Sequence, residues 1–174
     1  GLGERAGRLD VLVNNAAWVR YQAIPDVAPE TLDRMLDIGF KAVVWGIQAA
    51  AEAMDPGRGG TIVNLASMAG IVSARNSIVY SGIKAGIMGI TRAAAAELGA
   101  RKIRVNAVAP GPVWTPLIPS TMPPEAVKSF GEQTPMGRAA QPAELAPPYV
   151  LLASGEASYI SGATIPVTGG TPFL

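Results

Sequence analysis

The stretch Leu9-Asp10-Val11-Leu12-Val13-Asn14-Asn15-Ala16 (LDVLVNNA) decides the fold class. It is apolar on both faces of an extended chain, which predicts a parallel β-strand covered by helices above and below. Two later runs have the same character, Thr61 to Ala66 (TIVNLA) and Ile103 to Ala109 (IRVNAVA), and Ala163 to Val167 (ATIPV) predicts a last strand. The sequence therefore predicts a sheet of about four parallel strands.

Two long helices are predicted between these strands. Pro29 begins a stretch that reaches about Met54 with apolar residues at helical spacing, and the turn-forming residues 55–60 (DPGRGG) end it. A second helix, rich in Ala and Ile, is predicted from about Ser77 to Gly99. The alternation of strand and helix favours an α/β fold, with helices on both faces of the parallel sheet.

The region from Pro110 to Pro148 is predicted to be a long crossover, because it holds 10 of the chain's 15 prolines. Only short helices are expected there, near residues 124–131 and 142–153, the latter bent by Pro147 and Pro148. Long connections inside a compact domain are usually lids or binding loops. We therefore expect this region to shape a ligand site.

Composition limits the classes of function. The chain of 174 residues fits one domain, residues 1–174, and its 49% apolar and 16% charged residues suffice to bury a core. The net charge of +1 gives no electrostatic footprint for nucleic acid or an acidic membrane surface. No apolar run reaches the roughly 18 residues of a membrane span. The first residues do not resemble a signal peptide, so a cytoplasmic location is predicted.

Two residue types with strong chemical roles are missing. The chain has no Cys and no His. This excludes disulfides, thiolate nucleophiles, Ser-His-Asp triads and zinc sites built on Cys or His, and no metal site is predicted. Acid–base chemistry near neutral pH must therefore use Tyr, Lys, Asp or Glu.

The first residues contain a loose match to a dinucleotide-binding fingerprint, Gly1-x-Gly3-x-x-Ala6. The fingerprint works only where a strand delivers the glycines to the start of a helix. No strand precedes Gly1 in this sequence, and one follows soon after. We therefore interpret the match as the end of a helix that leads into Leu9.

Tyr80 and Lys84 form the main candidate for chemistry. Their spacing of four places them on one face of the second helix, about 5–6 Å apart at Cβ. An ammonium at about 6 Å favours the phenolate by about 2.8 kcal/mol at an effective dielectric constant of about 20, or roughly two pKa units. Ser67 ends the second strand, 13 residues before Tyr80, and its hydroxyl could lie beside the phenol. The alternatives are an ordinary helix surface for the pair and a turn cap for Ser67.

Together these motifs resemble the short-chain dehydrogenase/reductase family, over residues 9 to 170. They stand in that family's order and at its spacings. The motifs are Asn14-Asn15-Ala16-Ala17, Ser67, Tyr80-x-x-x-Lys84, Pro110-Gly111 with Val113 and Thr115, and Val167-Thr168-Gly169-Gly170.

The resemblance implies an oxidoreductase that transfers hydride between NAD or NADP and a secondary alcohol or ketone. Ser67, Tyr80 and Lys84 would be catalytic: Tyr80 as the acid–base group, Lys84 lowering its pKa, and Ser67 holding the substrate oxygen. Asn14 would steady the sheet. The implied cofactor-binding residues are Asn15, Ala16, Tyr80, Lys84, Pro110, Gly111, Val113 and Thr115. The segment 115–136 would be the substrate loop. A homodimer or homotetramer would form through helices 30–54 and 77–98, whose Ala-rich faces could instead simply pack on the sheet.

The sequence departs from the family in two places. The family's first half, with its glycine-rich pyrophosphate turn, is missing, so a truncated Rossmann-like three-layer fold is expected. We expect the chain either to be part of a longer polypeptide or to pair the free edge of the Leu9–Asn15 strand with another copy. The second departure is Gly39, which stands where the family has an Asn that kinks the helix and holds a water near the lysine.

Two alternative functions remain open. The chain could be a truncated, catalytically impaired remnant that acts only as an assembly or structural chain. It could also act without a cofactor on an epoxide or halohydrin through Ser67 and Tyr80, which Lys84 disfavours because such members carry arginine there.

Overall fold

The fold is built on one sheet of four parallel strands, arranged in chain order. The computed structural model describes residues 7–173. The strands are β1 (Val11–Asn14), β2 (Gly60–Leu65), β3 (Ile103–Pro110) and β4 (Thr164–Val167). Val13 pairs with Val63, and Val63 pairs with Asn106. The predicted α/β class and parallel sheet are thus confirmed.

The helices between β1 and β3 cover one face of the sheet. They are α1 (Pro29–Leu36), α2 (Ala42–Ala53) and α3 (Ile78–Leu98). Their buried side chains, Met35 of α1, Ile47 of α2 and Ile87 of α3 among them, pack on strand residues such as Ile62 and Val105. These two strand residues are fully buried, as expected for a sheet covered by helices.

The predicted continuous helix from Pro29 to Met54 is wrong in one detail. A single π-helical turn, Asp37–Lys41, separates α1 from α2. The apolar spacing runs through this turn, so the pattern alone does not reveal it. Gly39 lies at its centre and is buried. The chain therefore keeps an irregular turn at the position where the family carries its kink-forming Asn.

The Pro-rich crossover contains three short helices: α4 (Leu117–Thr121), α5 (Pro124–Lys128) and α6 (Ala146–Ala153). The sequence did not predict α4. The helix predicted over 142–153 is a 3₁₀ turn at Pro142–Leu145 followed by α6. Pro147 and Pro148 occupy the first turn of α6, where a missing N–H breaks no helical hydrogen bond. The remaining 3₁₀ turns are Ile24–Asp26, Met68–Gly70, Gly99–Arg101 and Gly155–Ala157.

The second face of the sheet is covered by α6. Leu152 of α6 packs on Val63 and Val108, and all three are fully buried. The predicted three-layer arrangement is therefore confirmed. This cover stops short of β1, whose Val11 and Val13 are 39% and 44% exposed. Since β1 pairs only with β2 among the described residues, its other edge is free, as predicted.

Asn14 fastens β1 to the rest of the fold, as the resemblance implied. Its Nδ2 donates to Asn64 Oδ1 of β2 at 2.9 Å. Asn64 Nδ2 in turn donates to Thr91 Oγ1 of α3 at 3.0 Å, and Thr91 donates to the Ile87 carbonyl at 2.8 Å. One chain of hydrogen bonds thus ties two strands to a helix inside the core.

None of the helices between residues 7 and 173 combines the length and the apolar character that crossing a membrane requires. The loose fingerprint at Gly1, Gly3 and Ala6 lies outside the described residues.

Candidate active site

A cavity of about 790 Å³ opens at the carboxyl ends of the strands. Asn15 after β1, Ser67 after β2 and Gly111 after β3 all line it. Parallel strands bring their carboxyl ends to one edge of the sheet, which is where doubly wound folds bind ligands. The sequence places polar and glycine residues at these three positions, and the structure brings them together.

Ser67 has both of the roles considered for it. It caps the 3₁₀ turn Met68–Gly70 with extended backbone, and its Oγ accepts a hydrogen bond from the Ala69 N–H at 3.1 Å. It also lines the cavity together with Tyr80, and its hydroxyl lowers the pKa of that phenol. The turn therefore holds the hydroxyl in place beside Tyr80.

Tyr80 projects from the first turn of α3 into the same cavity. Burial raises the pKa of Tyr80 above its ordinary value of 10, and the Ser67 hydroxyl only partly opposes this. Burying the phenol disfavours the phenolate because charge is poorly solvated there. Tyr80 is therefore a neutral phenol at physiological pH, able to donate a proton.

Lys84 lies one turn further along α3 and is only 4% exposed. Its Nζ lies 5.7 Å from the centre of the Tyr80 ring and donates to the Leu65 carbonyl at 2.6 Å. Burial lowers the pKa of Lys84 from 10.5 to about 8. Lys84 thus stands behind Tyr80, where it does not line the cavity.

The pKa of Tyr80 is raised in this structure, so the expected net lowering by Lys84 is not found. The attraction between ammonium and phenolate favours the phenolate, but burial of the phenol outweighs it. In the fold, burial is the largest influence on both groups, raising the pKa of Tyr80 and lowering that of Lys84. The ammonium is also turned toward the Leu65 carbonyl.

The residues implied to bind a cofactor divide into two groups. Those that line the cavity are Asn15, Tyr80, Pro110, Gly111, Val113 and Thr115. Ala16 does not line it and is exposed, and Lys84 is set back as described. The structure thus leaves Ala16 outside the site.

Gly111 lets the chain pass closely between two segments. Its N–H donates to the Val167 carbonyl at 2.9 Å. A Cβ at this position would lie 3.0 Å from Thr168 Cα and 3.3 Å from Met68 Sδ. Because the first neighbour is backbone, only glycine fits without displacing β4 from its place beside the cavity.

Several cavity residues were missed at the sequence level. Tyr21 packs edge-on against Tyr80, with ring centres 5.9 Å apart. Burial raises the pKa of Tyr21 to about 12, with a smaller contribution from Tyr80. Nothing in the spacing around Tyr21 indicates this contact. Other missed residues, which also line the cavity, are Met68, Val72, Leu145, Tyr149 and Val150. Leu117, Ile118, Met122 and Phe130 line it as well, and they belong to the segment 115–136 that was expected to be the substrate loop.

Comparison with known proteins fits this geometry. The family model described as enoyl-(acyl carrier protein) reductase matches residues 1–172. The chain belongs to the short-chain dehydrogenase/reductase family. It is 41% identical to the rice (Oryza sativa) glucose and ribitol dehydrogenase homolog, over 97% of this chain and 58% of the relative. It is 38% identical to the Thermotoga maritima 3-oxoacyl-[acyl-carrier-protein] reductase FabG, over 96% of this chain and 68% of that protein.

Solved structures of this short-chain dehydrogenase/reductase family match the fold closely. The angucycline C-6 ketoreductase LanV, solved with bound NADP, superposes with a TM-score of 0.89 at 35% identity, covering 98% of this chain and 66% of that one. The chain spans somewhat more than half the length of curated relatives such as general stress protein 39 of Bacillus subtilis. That protein is 44% identical to it over 94% of this chain and 57% of the relative.

Proposed function

We propose that this short-chain dehydrogenase/reductase transfers hydride between NAD or NADP and a secondary alcohol or ketone. The observation that carries the proposal is the meeting of Ser67 and Tyr80 in one cavity, with Lys84 directly behind the phenol. This arrangement provides a hydrogen-bond donor and a proton donor for a single oxygen atom. The names of the relatives support the reaction class, since they include dehydrogenases and reductases of alcohols and ketones.

In the direction of reduction, the ketone oxygen lies between the two hydroxyls. Ser67 Oγ donates a hydrogen bond to it, which polarises the carbonyl, and Tyr80 Oη donates the proton that turns it into an alcohol. The raised pKa of Tyr80 keeps that proton available at neutral pH. Lys84, with its ammonium fixed by the Leu65 carbonyl, stabilises the phenolate that is left behind.

The described residues fit the nicotinamide end of the cofactor, which supplies or accepts the hydride when bound. Asn15, Gly111, Val113 and Thr115 line the cavity beside Tyr80 and would hold this end. No strand among residues 7–173 is followed by a glycine-rich turn into a helix that would hold the pyrophosphate. We therefore expect weak binding of NAD or NADP by these residues alone.

Calorimetry with NADH and NADPH, followed by reduction of a simple cyclic ketone, tests the proposal. Replacing Tyr80 by Phe should reduce turnover by about 10²–10⁴-fold, as for loss of a general acid, while cofactor binding persists. Val79→Ala, one residue away and outside the cavity lining, is the matched control. A Tyr80→Phe variant as active as the parent would refute the proposal.

A non-catalytic assembly role is the second candidate, because residues 7–173 contain no glycine-rich turn that would hold the pyrophosphate. The two candidates differ in one measurement, because a well-folded chain that binds neither NADH nor NADPH has no hydride to transfer. Absence of binding, with a cooperative thermal transition as proof of folding, would support the assembly role and exclude the first candidate for this chain.

We also propose a homodimer or homotetramer built through α2 and α3. Trp45 of α2 is 61% exposed, which is unusual for so large an apolar side chain and typical of an interface. The Ala-rich faces are divided between the core and the surface. Ala50 and Ala51 are buried in the chain's own core, while Ala49 and Ala93 are exposed and would allow a close approach of helices.

A further inference from the structure

We infer that the cavity takes a neutral, largely apolar ketone or its secondary alcohol, and that it discriminates against polyols and carboxylates. This inference rests on the proposed function, because it places the reacting oxygen between Ser67 and Tyr80. It goes further by assigning the chemical class of the rest of the substrate.

The charge of the cavity wall is the first property that limits the substrate. Among the described residues that line the cavity, none is Asp, Glu, Lys or Arg. A carboxylate moved from water into such a site loses its hydration and gains no counter-charge, which is strongly unfavourable. Lys84 offers no compensation, since its ammonium is set behind Tyr80 and bonded to the Leu65 carbonyl.

The second argument is the apolar character of the wall beyond the two hydroxyls. The loop after β2 and the segment from 117 to 133 together contribute nine apolar side chains and one amide, that of Gln133. Met68 and Val72 come from the loop, and Leu117 and Met122 come from α4 or directly follow it. A polyol would leave most of its hydroxyls unbonded against this wall, whereas a hydrocarbon group would be removed from water.

The third argument is that Tyr21 completes this wall next to the reacting oxygen. Its ring packs edge-on against Tyr80, so an aromatic surface borders the proton donor. The pKa of Tyr21, raised to about 12, keeps its phenol uncharged at any physiological pH. Two methionines, Met68 and Met122, add side chains that adapt to irregular apolar shapes. The wall therefore accommodates alicyclic or aromatic groups.

Binding of three probes to the chain tests the inference: methylcyclohexanone, the similarly shaped anion oxocyclohexanecarboxylate, and ribitol. Calorimetry or ligand-observed NMR gives the affinities without any need for turnover, and reduction by NADPH is measured separately. We expect methylcyclohexanone to bind at least about tenfold more tightly than the other two.

A charge placed in the wall should reverse this preference. Leu117 lines the cavity and is already 43% exposed, so Leu117→Arg is compatible with folding. The new guanidinium should weaken methylcyclohexanone binding and strengthen oxocyclohexanecarboxylate binding by about tenfold, since it supplies the missing counter-charge. Ile24→Arg adds the same charge at a 71% exposed residue outside the cavity lining and should change neither affinity.

The outcomes separate this inference from the proposed function. Equal or tighter binding of ribitol or the carboxylate by the parent chain would overturn the inference, even if ketones are reduced. An unchanged preference in Leu117→Arg would also overturn it. If methylcyclohexanone binds with the expected preference but is never reduced with NADPH, the assignment of the cavity holds and the proposed function fails.

Discussion

Lys84 is a positive charge in a place that solvates it poorly. Its pKa is lowered to about 8 by burial, so the folded chain binds the lysine's proton less tightly than the unfolded chain, where the pKa is near 10.5. Below pH 8 the lysine is charged in both states, and its burial opposes folding. As pH rises from about 8 to 10.5 the unfolded state holds more protons, so this opposition disappears.

We therefore predict that Lys84→Met stabilises the chain at pH 7. The gain should be about 1–3 kcal/mol, because the relief of desolvation is partly offset by loss of the hydrogen bond to Leu65. Denaturant unfolding at several pH values measures it, and the advantage should shrink steadily between pH 8 and 10. Lys41→Met is the control, since Lys41 is exposed and bonded to Asp37. A variant that is less stable than the parent at pH 7 would contradict the burial argument.

Gly39 allows a second prediction at the scale of the residue. A Cβ here would lie 3.2 Å from Ile83 Cγ2, so any side chain requires a small shift of Ile83. Gly39→Ala and Gly39→Asn share that crowding, but only Asn restores the amide that the family carries at this turn. In the family this Asn holds a water near the lysine; if that water passes protons to Tyr80 through Lys84, Gly39→Asn should turn over ketone several-fold faster than Gly39→Ala at similar thermal stability. Equal rates would show that the chain manages without the amide.

Between elements, Asn64 is the central link. It accepts from Asn14 of β1 and donates to Thr91 of α3, and it is fully buried. Asn64→Leu keeps the volume but leaves both partners without their bonds, and we expect a loss of about 2–4 kcal/mol in the free energy of unfolding. Chemical denaturation measures this loss. In the Asn64→Leu variant, adding Asn14→Leu should lower the free energy of unfolding by less than Asn14→Leu does in the parent chain. The second change removes the Asn14 amide, which Asn64→Leu has already left without its partner. If the two losses of free energy simply add, Asn14 and Asn64 do not act as one chain of hydrogen bonds.

The accuracy of the sequence-based prediction also differs between elements. The strands were predicted to within one or two residues at each end, because each is a short apolar run between turn residues. The helix α4 was missed, since Pro116 and Pro119 indicate a break, yet Pro116 is the N-cap residue and Pro119 lies in the first turn. The π turn was missed because the buried positions Met35, Gly39, Val43 and Ile47 are four residues apart, a spacing that ordinary α-helices also show.

The sequence predicted only those site residues whose position follows from the order of strands and helices along the chain. Ser67, Tyr80 and Lys84 were identified because each follows a strand or sits at helical spacing from another. Tyr21 was not, since it reaches the cavity through a loop whose path depends on tertiary packing. The segment 115–139 illustrates this. Its two ends are held together by a parallel β-bridge between Val113 and Ala140. The Trp114 N–H reinforces this bridge by donating a hydrogen bond to the Ala140 carbonyl at 2.8 Å. No local pattern predicts that pairing.

At the scale of the whole molecule, the outer edge of β1 is open to association. Among residues 7–173 no strand pairs with this edge, and α6 does not cover two valines of β1. Such an edge is a template for another strand. We predict that the chain self-associates through β1, with sedimentation velocity showing larger species as concentration rises.

Charge at this edge should prevent the association. Val11 is 39% exposed and does not line the cavity, so Val11→Lys adds an ammonium at the edge without entering the site. A lysine there must be desolvated when a second strand pairs. We therefore expect the association constant to fall at least about tenfold. Ile24→Lys adds the same charge far from the sheet and should leave association unchanged. Equal effects of the two variants would show that net charge, and not the β1 edge, controls association. Association that Val11→Lys leaves unchanged would show that the contact does not involve β1. The exposed face of α2 around Trp45 would then be tested.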